Sequence, residues 1–328
     1  MSNPASTATI SIVVPAFNEG ESISELIGAI RAAGEEASFR LIEVIVVDDG
    51  STDGTWAALE GAMGDRNTPS LRAIRLRRNC GKAFALGEGF KVARGDVVVT
   101  LDADLQDDPS EIGRMLAKLD EGFDVVSGWK QVRQDPPGKV LPSKLFNWVT
   151  ARVSGLRIHD FNCGFKAYRA EVVKSLRLYG ELHRYIPVLA DNLGYRVAEI
   201  PVCHRARAYG RSKYGWERLT RGMLDLFTVM ATTRYRARPA HLFGGTGLLL
   251  GTAGFVQLGY LTVLWFFREG PIGTRPLLFL GILCVLMGAQ LVSFGLLAEL
   301  FIRKHGVSDG VLYVAERLGF SGDDRDGG

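Results

Sequence analysis

Short apolar blocks and helix-spaced stretches alternate along the first 130 residues. Continuous apolar runs of about four to eight residues are typical of buried strands. We predict four such strands, at residues 10–17, 41–50, 71–79 and 96–104. Stretches with apolar residues at helical spacing follow them, as with Ile23, Leu26, Ile27 and Ile30. This order predicts an α/β fold, in which a mostly parallel sheet is covered by helices on both faces.

Two long apolar stretches lie near the end of the chain. Residues 244–267 carry no charge, and residues 276–302 carry only Glu299. A bilayer core of roughly 30 Å needs about 20 helical residues, so each stretch is long enough to cross. A buried helix of a soluble protein is the alternative, but two such lengths in tandem disfavour it. We predict two transmembrane helices joined by a tight turn.

The charges that flank this hairpin predict its orientation. Arginines precede the first helix in "RYRARPAH", and "RKH" follows the second, whereas the connector has two arginines and one glutamate. Positive residues favour the cytoplasmic side. We expect a multi-pass protein of the inner (plasma) membrane, with the catalytic domain and both termini in the cytoplasm.

The chain divides into five predicted segments. They are a flexible N-terminus (1–9), a catalytic domain (10–215), a juxtamembrane amphipathic helix (216–240), the hairpin (241–303) and a partly disordered tail (304–328). The first fifteen residues lack the basic and long apolar regions of a signal peptide, so none is expected.

Charge and cysteine content exclude some classes of protein. A formal net charge of +3 over 328 residues is too small to indicate a nucleic-acid partner. Four scattered cysteines without a CxxC pair are typical of reduced thiols in an intracellular protein. Neither a disulfide framework nor a zinc site is expected.

Acidic residues follow the predicted strands, where parallel sheets bind ligands. In "VVVTLDADLQDDP" (97–109) an apolar strand runs directly into four aspartates. Like charges this close repel each other, so we expect a cation there. If the chain stays extended beyond Thr100, then Asp102, Asp104 and Gln106 share one face. Clustered oxygen ligands suit Mg²⁺ or Mn²⁺. A solvated turn is the alternative.

Two nucleotide-binding motifs are incomplete. "RRNCGKA" lacks the first glycine and the following Ser or Thr of a P-loop, and "GEGFKV" lacks the third glycine of the dinucleotide fingerprint. We exclude a P-loop NTPase and a classical NAD-binding domain.

Six motifs in order resemble family 2 glycosyltransferases. They are "VVPAFNE", "VVDDGSTDGT", "RNCGKAFAL", "DADLQDDP", "FNCGFKAYR" and "YGRSKYG". The sequence looks most like the dolichyl-phosphate mannosyltransferase and polyprenyl-phosphate glucosyltransferase branch, over about residues 10–235. The hairpin is similar to that of bacterial members with two transmembrane segments. The resemblance implies a GT-A-type nucleotide-diphospho-sugar-binding domain and the two C-terminal helices.

The resemblance also implies roles for individual residues. Those that would border the nucleoside are Pro15, Phe17, Glu19, Val47 and Asp49. Those of the DxD motif and the metal site are Asp102, Ala103, Asp104 and Gln106, with the metal held by Asp102, Asp104 and Gln106. The basic residues toward the phosphates are Lys130, Arg207 and Lys213, and catalysis would rest on Asp104, Arg207 and Lys213. Lys130 stands where close relatives have arginine, and Phe17 where tyrosine is common, so these positions lack the bidentate phosphate contact of arginine and the hydroxyl contact of tyrosine.

The implied reaction is metal-dependent, inverting transfer of a monosaccharide from a nucleoside diphosphate-sugar to polyprenyl phosphate. A phosphate monoester, with a second pKa of about 6, is largely ionised at neutral pH and needs no strong base. We therefore assign no base role to His159, His183 or His204. Glucose from UDP-glucose is the first expectation for the donor, followed by GDP-mannose.

Three stretches allow two interpretations each. Basic and aromatic residues interleave at 205–218, which suits nucleic acid or, with the hairpin adjacent, a bilayer surface, which we favour. The spacing of apolar residues at 181–195 predicts a helix that lies either at the membrane interface or in the protein core. Glycines at 244–254 could pack against a second copy, giving a homo-oligomer, or within the hairpin.

Three other classes remain as alternatives. A processive polysaccharide synthase usually has more transmembrane helices and a QxxRW motif, which the sequence lacks. A metal-dependent phosphohydrolase typically has histidines among its ligands. A non-catalytic sugar-nucleotide-binding protein would show no metal-dependent turnover.

Overall fold

A computed structural model describes most of the chain. The described residues are 8–36, 39–63, 70–131, 137–178, 180–203, 205, 239–267, 271, 273 and 275–305. The chain forms two compact units, Met1–Val229 and Met230–Gly328, which are treated separately below. The predicted juxtamembrane helix and tail fall largely outside the described residues, and the predicted domain boundaries stay predictions.

The first unit contains a seven-stranded sheet. Its strands are β1 (Thr9–Ala16), β2 (Arg40–Asp48), β3 (Ser70–Arg75), β4 (Val97–Thr100), β5 (Val125–Trp129), β6 (Lys166–Arg169) and β7 (Val197–Pro201). They are ordered β3-β2-β1-β4-β6-β5-β7. Strand β6 is antiparallel to its neighbours β4 and β5, and the other adjacent pairs are parallel. The predicted mostly parallel sheet is confirmed.

Seven helices accompany the sheet in the described part of this unit. They are α1 (Ile23–Glu36), α2 (Thr55–Met63), α3 (Lys82–Val92), α4 (Ile112–Asp120), α5 (Pro137–Ser154), α6 (Ala170–Ser175) and α7 (Ile186–Asn192). Short 3-10 turns occupy Pro109–Glu111 and Leu182–Arg184.

Side chains of the central strands point alternately into two apolar cores. Ile12 and Val14 of β1 pack in one core with Leu26 of α1. Val13, between them, packs in the other core with Phe90 of α3. Burial of each such side chain contributes about 1.5–3 kcal/mol. Because both faces of β1 are buried, the strand appears in the sequence as a continuous apolar run.

The strands end earlier than the apolar pattern predicts. The third strand ends at Arg75 and the fourth at Thr100. Beyond Thr100 the chain turns, and Leu105 has a left-handed φ of 59°. The condition for a shared face of Asp102, Asp104 and Gln106, an extended chain beyond Thr100, is therefore not met, since strand alternation stops where the backbone turns.

Most of residues 182–190 pack into the protein interior, whereas Asp191 and Asn192 at the end of α7 are exposed. Tyr185 and Ile186 are almost fully buried, and Tyr185 packs with Phe146 and Phe161 in a third apolar cluster. Of the two interpretations of this stretch, the structure shows the core-packed one.

The second unit is a helical hairpin of α8 (Pro239–Phe266) and α9 (Pro276–His305). Within it, Phe243–Phe266 and Pro276–Ala298 are long and apolar enough to cross a membrane. The helices approach closely where glycines face each other: a Cβ on Gly247 would lie 2.6 Å from the Gly288 carbonyl oxygen, and one on Gly254 would lie 2.8 Å from that of Gly281. These glycines thus pack within the hairpin.

Candidate functional site

The polar loops that follow β1, β2 and β4 lie at one edge of the sheet. Strand β1 pairs in parallel with β2 on one side and with β4 on the other. The residues that follow these strands, 17–19, 49–51 and 101–108, therefore lie at adjacent carboxyl ends of the sheet. This is the edge at which open α/β sheets bind ligands.

The loop after β2 shapes the loop that leads into α3. The Asp49 carboxylate accepts the backbone N–H groups of Cys80 at 2.7 Å and Gly81 at 2.9 Å. Gly50 has a φ of 71°, and a Cβ there would lie 2.7 Å from the Arg78 Cα. Burial raises the pKa of Asp49, while the two amide hydrogen bonds oppose that rise. Asp49, predicted to contact the nucleoside, holds the 78–81 loop in this structure.

The segment after β1 is tied to the loop after β2. Asn18, with a left-handed φ of 55°, receives Thr52 N–H on its side-chain oxygen at 2.9 Å. Its own N–H donates to Ser51 Oγ at 2.9 Å. Glu19 N–H donates to Thr55 Oγ1 at 2.9 Å. The backbone bearing Phe17 and Glu19 is thereby fixed beside the sheet edge.

The predicted nucleoside residues differ in exposure. Pro15, Phe17 and Glu19 are partly exposed, whereas Val47 is fully buried and packs in the core beside α3. Any contact that Val47 makes with a nucleoside must come from its backbone.

Basic side chains contact the aspartates in the loop that follows β4. We call this loop, residues 102–108, the acidic loop. Lys82 forms an ion pair with Asp102, and Lys130 pairs with Asp107 at 2.7 Å. Asp104 accepts the Gln106 N–H at 3.3 Å. The expected positive charge is thus present, and lysines of the protein itself supply part of it.

These ion pairs shift the pKa values of the loop. Burial alone would raise the pKa of Asp102, but the ammonium groups of Lys82, Lys130 and Lys166 outweigh it and lower the pKa to about 2. Burial would lower the pKa of Lys130, yet the nearby carboxylates, chiefly Asp107, raise it. Asp102 and Lys130 are therefore charged at neutral pH.

The segment before β6 closes over Asp102. A Cβ built on Gly164 would collide with the Asp102 carboxylate and lie 2.6 Å from its Cγ. Lys166, at the start of β6, is buried and donates to the Cys163 carbonyl oxygen. Lys166 is therefore an internal support of the site and not a surface contact for phosphate in this structure.

The ligand set of the acidic loop fits a hard divalent cation. Asp102 and Asp104 supply carboxylate oxygens, and the absence of a side chain at Gly164 leaves room for the Asp102 carboxylate. Within the described ranges, no group of three or more His, Cys, Asp or Glu side chains could hold a metal ion. Mg²⁺ typically takes one or two protein carboxylates and completes its shell with water and phosphate oxygens. Asp102 and Asp104 are thus the residues that could hold it.

Gln106 connects the acidic loop to the segment after β7. Its Nε2 donates to the Arg205 carbonyl oxygen at 3.4 Å, and Arg205 N–H donates to the Gln106 carbonyl at 2.9 Å. The Arg205 guanidinium also pairs with Asp108. The chain therefore reaches the acidic loop two residues before Arg207. Arg207 and Lys213 themselves lie outside the described residues.

Of the three histidines to which we assign no base role, two are described. His159 stacks on Trp129, with ring centroids 4.2 Å apart, and pairs through Nδ1 with Glu199. His183 is buried beside Glu181. His204 lies outside the described residues.

Gly164 gives a direct test of this geometry. Gly164→Ala is expected to lower turnover by about tenfold or more, because the new methyl group must displace the Asp102 carboxylate. Gly61→Ala in α2, where a Cβ meets nothing within 4 Å, is the matched control and should retain wild-type turnover. Wild-type turnover in Gly164→Ala would contradict the placement of Asp102 in the site.

Sequence reasoning missed the structural partners of the acidic loop. Lys82 appeared only within "RNCGKA", as part of a failed P-loop and a family motif. The pair of Asp107 with Lys130 and the contact of Gly164 with Asp102 had no local signal, because the partners lie far apart in the chain.

The chain is similar to known proteins over most of its length. Residues 11–177 match the profile described as glycosyl transferase family 2. The dodecaprenyl-phosphate galacturonate synthase of Rhizobium johnstonii is 39% identical over 92% of this chain and 90% of that protein. An undecaprenyl-phosphate 4-deoxy-4-formamido-L-arabinose transferase of Pseudomonas aeruginosa is 37% identical over 90% of this chain and 86% of that protein.

A solved structure shares the fold. Glucosyl-3-phosphoglycerate synthase from Mycobacterium tuberculosis, in complex with Mn²⁺ and uridine-diphosphate-glucose, matches with a TM-score of 0.55. It is 23% identical and covers 71% of this chain and 81% of its own. The likeness confirms the predicted GT-A-type α/β fold.

Proposed function

Because the chain belongs to glycosyl transferase family 2, and is thus a glycosyltransferase, we propose that it transfers a monosaccharide from a nucleoside diphosphate-sugar to polyprenyl phosphate. The observation that carries the proposal is the pairing, in one chain, of the acidic loop at a parallel sheet edge with two helices able to cross a membrane. The first suits a metal-bound diphosphate, and the second suits a lipid acceptor.

The acceptor is supported by the relatives. The names of the two relatives above contain dodecaprenyl phosphate and undecaprenyl phosphate, each together with a sugar, and each relative aligns with about nine-tenths of this chain. A long isoprenoid phosphate resides in a bilayer, which agrees with the two apolar helices. We accordingly propose an inner-membrane location with the catalytic unit in the cytoplasm, as the flanking arginines predict.

The donor site is proposed at the edge where β1, β2 and β4 end. Phe17 and Glu19 are held there beside the loop that Asp49 organises. Asp102 and Asp104 are the proposed ligands of Mg²⁺ or Mn²⁺. The sequence prediction adds Gln106 as a third ligand. Arg207 and Lys213 are proposed to hold the phosphates, since the described chain reaches the acidic loop at Arg205.

The reaction we propose is a single displacement. An acceptor phosphate oxygen attacks the anomeric carbon, and the nucleoside diphosphate leaves with the electron pair of the broken bond. The bound metal would supply Lewis-acid stabilisation of the leaving group. Cationic side chains add to it, with Arg207 and Lys213 in that role. No side chain has to remove a proton, because the acceptor phosphate is already ionised.

The sugar is the part of the prediction that the relatives do not support. Glucose was expected first, but the names of these two relatives carry galacturonate and 4-deoxy-4-formamido-L-arabinose. We propose galacturonate as the first sugar to test, ahead of the formamido-arabinose, glucose and mannose. A single hydrogen bond can distinguish such sugars, so a few contacts in the donor pocket determine which sugar the enzyme accepts.

Product analysis tests this proposal. The purified protein, short-chain polyprenyl phosphate and each sugar nucleotide are incubated with Mg²⁺ or Mn²⁺, and the lipid fraction is analysed by mass spectrometry and NMR. We expect one donor to yield a lipid whose mass rises by one glycosyl unit, with the anomeric configuration inverted. A retained configuration would overturn the displacement, and the absence of glycosylated lipid with every donor would overturn the proposed acceptor.

A further inference from the structure

Asp102, a proposed metal ligand, already has a cation in contact. The Lys82 ammonium pairs with one of its carboxylate oxygens. Lys82 is the first residue of α3, and the amides of Cys80 and Gly81 just before it are held by Asp49. The backbone at this point is therefore anchored, while the lysine stem remains a chain of rotatable bonds.

Of the lysines that contact or lie behind the acidic loop, Lys82 is the one whose ammonium can most easily break its contact with that loop. Lys130 is 13% exposed and engaged with the buried Asp107, and Lys166 is 2% exposed and donates to a carbonyl oxygen. Lys82 is 26% exposed and Asp102 is 29% exposed. Moving either buried lysine would leave a polar group unpaired in the interior, which is costly. Lys82 can exchange partners, because its ammonium and the Asp102 carboxylate are both partly exposed.

The acidic loop is close to neutral without a metal. Its carboxylates are Asp102, Asp104, Asp107 and Asp108. Among the described residues, the cationic side chains whose charges act on them include Lys82, Lys130, Lys166 and Arg205. A divalent cation alone would give this region an excess of positive charge. A divalent cation that arrives with a diphosphate would not, because each phosphoryl group carries a negative charge.

We propose that Lys82 occupies the cation position beside Asp102 in the donor-free enzyme and moves to the donor's diphosphate when the metal enters. This inference rests on the proposed function for the identity of the donor. Lys82 then makes metal binding depend on the nucleotide: the metal alone competes with an ammonium, whereas the metal with its diphosphate gives that ammonium a new partner.

Mn²⁺ titrations of the purified full-length protein, followed by the electron paramagnetic resonance signal of free Mn²⁺, test this role. Each titration is run without nucleotide, with UDP and with GDP. In the wild-type protein we expect Mn²⁺ affinity to rise about tenfold with one of the two nucleotides. Lys82→Met should bind Mn²⁺ alone about tenfold more tightly than wild type, the size of one partly screened charge interaction. Its gain from nucleotide should shrink.

Two variants make the result specific. Lys91→Met lies on the same helix, removes the same charge from an exposed pair with Glu88, and should change Mn²⁺ affinity less than about twofold. Lys82→Arg keeps the charge and should retain the weak binding of Mn²⁺ alone.

The outcomes separate the inference from the proposed function. Mn²⁺ affinity in Lys82→Met that equals or falls below that of Lys91→Met overturns the role of Lys82, whatever the nucleotides do. Tighter binding in Lys82→Met, with affinity in the wild type unchanged by UDP and GDP, overturns the transfer to a diphosphate and counts against the proposed donor site.

Discussion

Asp104→Asn is expected to lower turnover at least about a hundredfold while the catalytic unit stays folded. Asparagine keeps the size of the side chain and one oxygen, but it removes the negative charge that a hard cation prefers. Asp104 is partly exposed at a turn and not in either core, so its replacement leaves the apolar packing intact. The measurement is the rate of nucleoside diphosphate release at saturating donor and lipid.

A charge-matched control accompanies this variant. Asp120→Asn changes an exposed residue at the end of α4 and should retain wild-type turnover. The thermal midpoints of both variants should match that of the wild type. Turnover of Asp104→Asn within about threefold of wild type would show that the DxD carboxylate is not used, and the assignment of the metal site would fall with it.

Lys130→Met is expected to lower the thermal midpoint of the catalytic unit by about 10 °C. The Lys130 ammonium pairs with Asp107 at 2.7 Å, and the two side chains are 13% and 1% exposed. Removing one partner of a buried pair costs about 3–5 kcal/mol, because the other charge is left uncompensated. In a unit of this size, about 1 kcal/mol corresponds to roughly 2–4 °C. Thermal unfolding in detergent, followed by tryptophan fluorescence, measures the shift.

The exposed pair on α3 and a double variant show where the effect comes from. Lys91→Met removes the partner of Glu88, with the lysine 69% exposed, and should shift the midpoint by less than about 3 °C. Adding Asp107→Asn to Lys130→Met removes the stranded charge and should recover about half of the loss. A wild-type midpoint in Lys130→Met, combined with weakened donor binding, would instead favour the phosphate contact that the family resemblance implies for Lys130.

The mostly parallel α/β fold and the acidic edge could be predicted because their signals are local. Continuous apolar runs identify β1, β2 and β4, and parallel strands between helices must present their carboxyl ends together. That reasoning placed Asp49, Asp102 and Asp104 at one edge before any contact was known. It failed at the turn after Thr100, because nothing in the apolar pattern shows where a strand leaves the sheet.

The supports of the site depend on pairings between distant parts of the chain. Strand β6 inserts antiparallel between β4 and β5, and this brings Gly164 to Asp102 and places Lys166 behind the loop. Both positions lie in the motif "FNCGFKAYR", but the motif does not show what they contact, since that exists only once β6 has paired with β4. The same is true of Lys130, which reaches Asp107 because β5 and β4 flank a common neighbour.

The most direct test of the central claim is the release of nucleoside diphosphate by the purified protein. Each UDP- and GDP-sugar is supplied with and without short-chain polyprenyl phosphate, in Mg²⁺ or Mn²⁺ and in EDTA. We expect release with one donor, and this release should require both the lipid and the metal. Release that is equal without lipid, or no release from any donor, would contradict a glycosyltransferase that acts on polyprenyl phosphate.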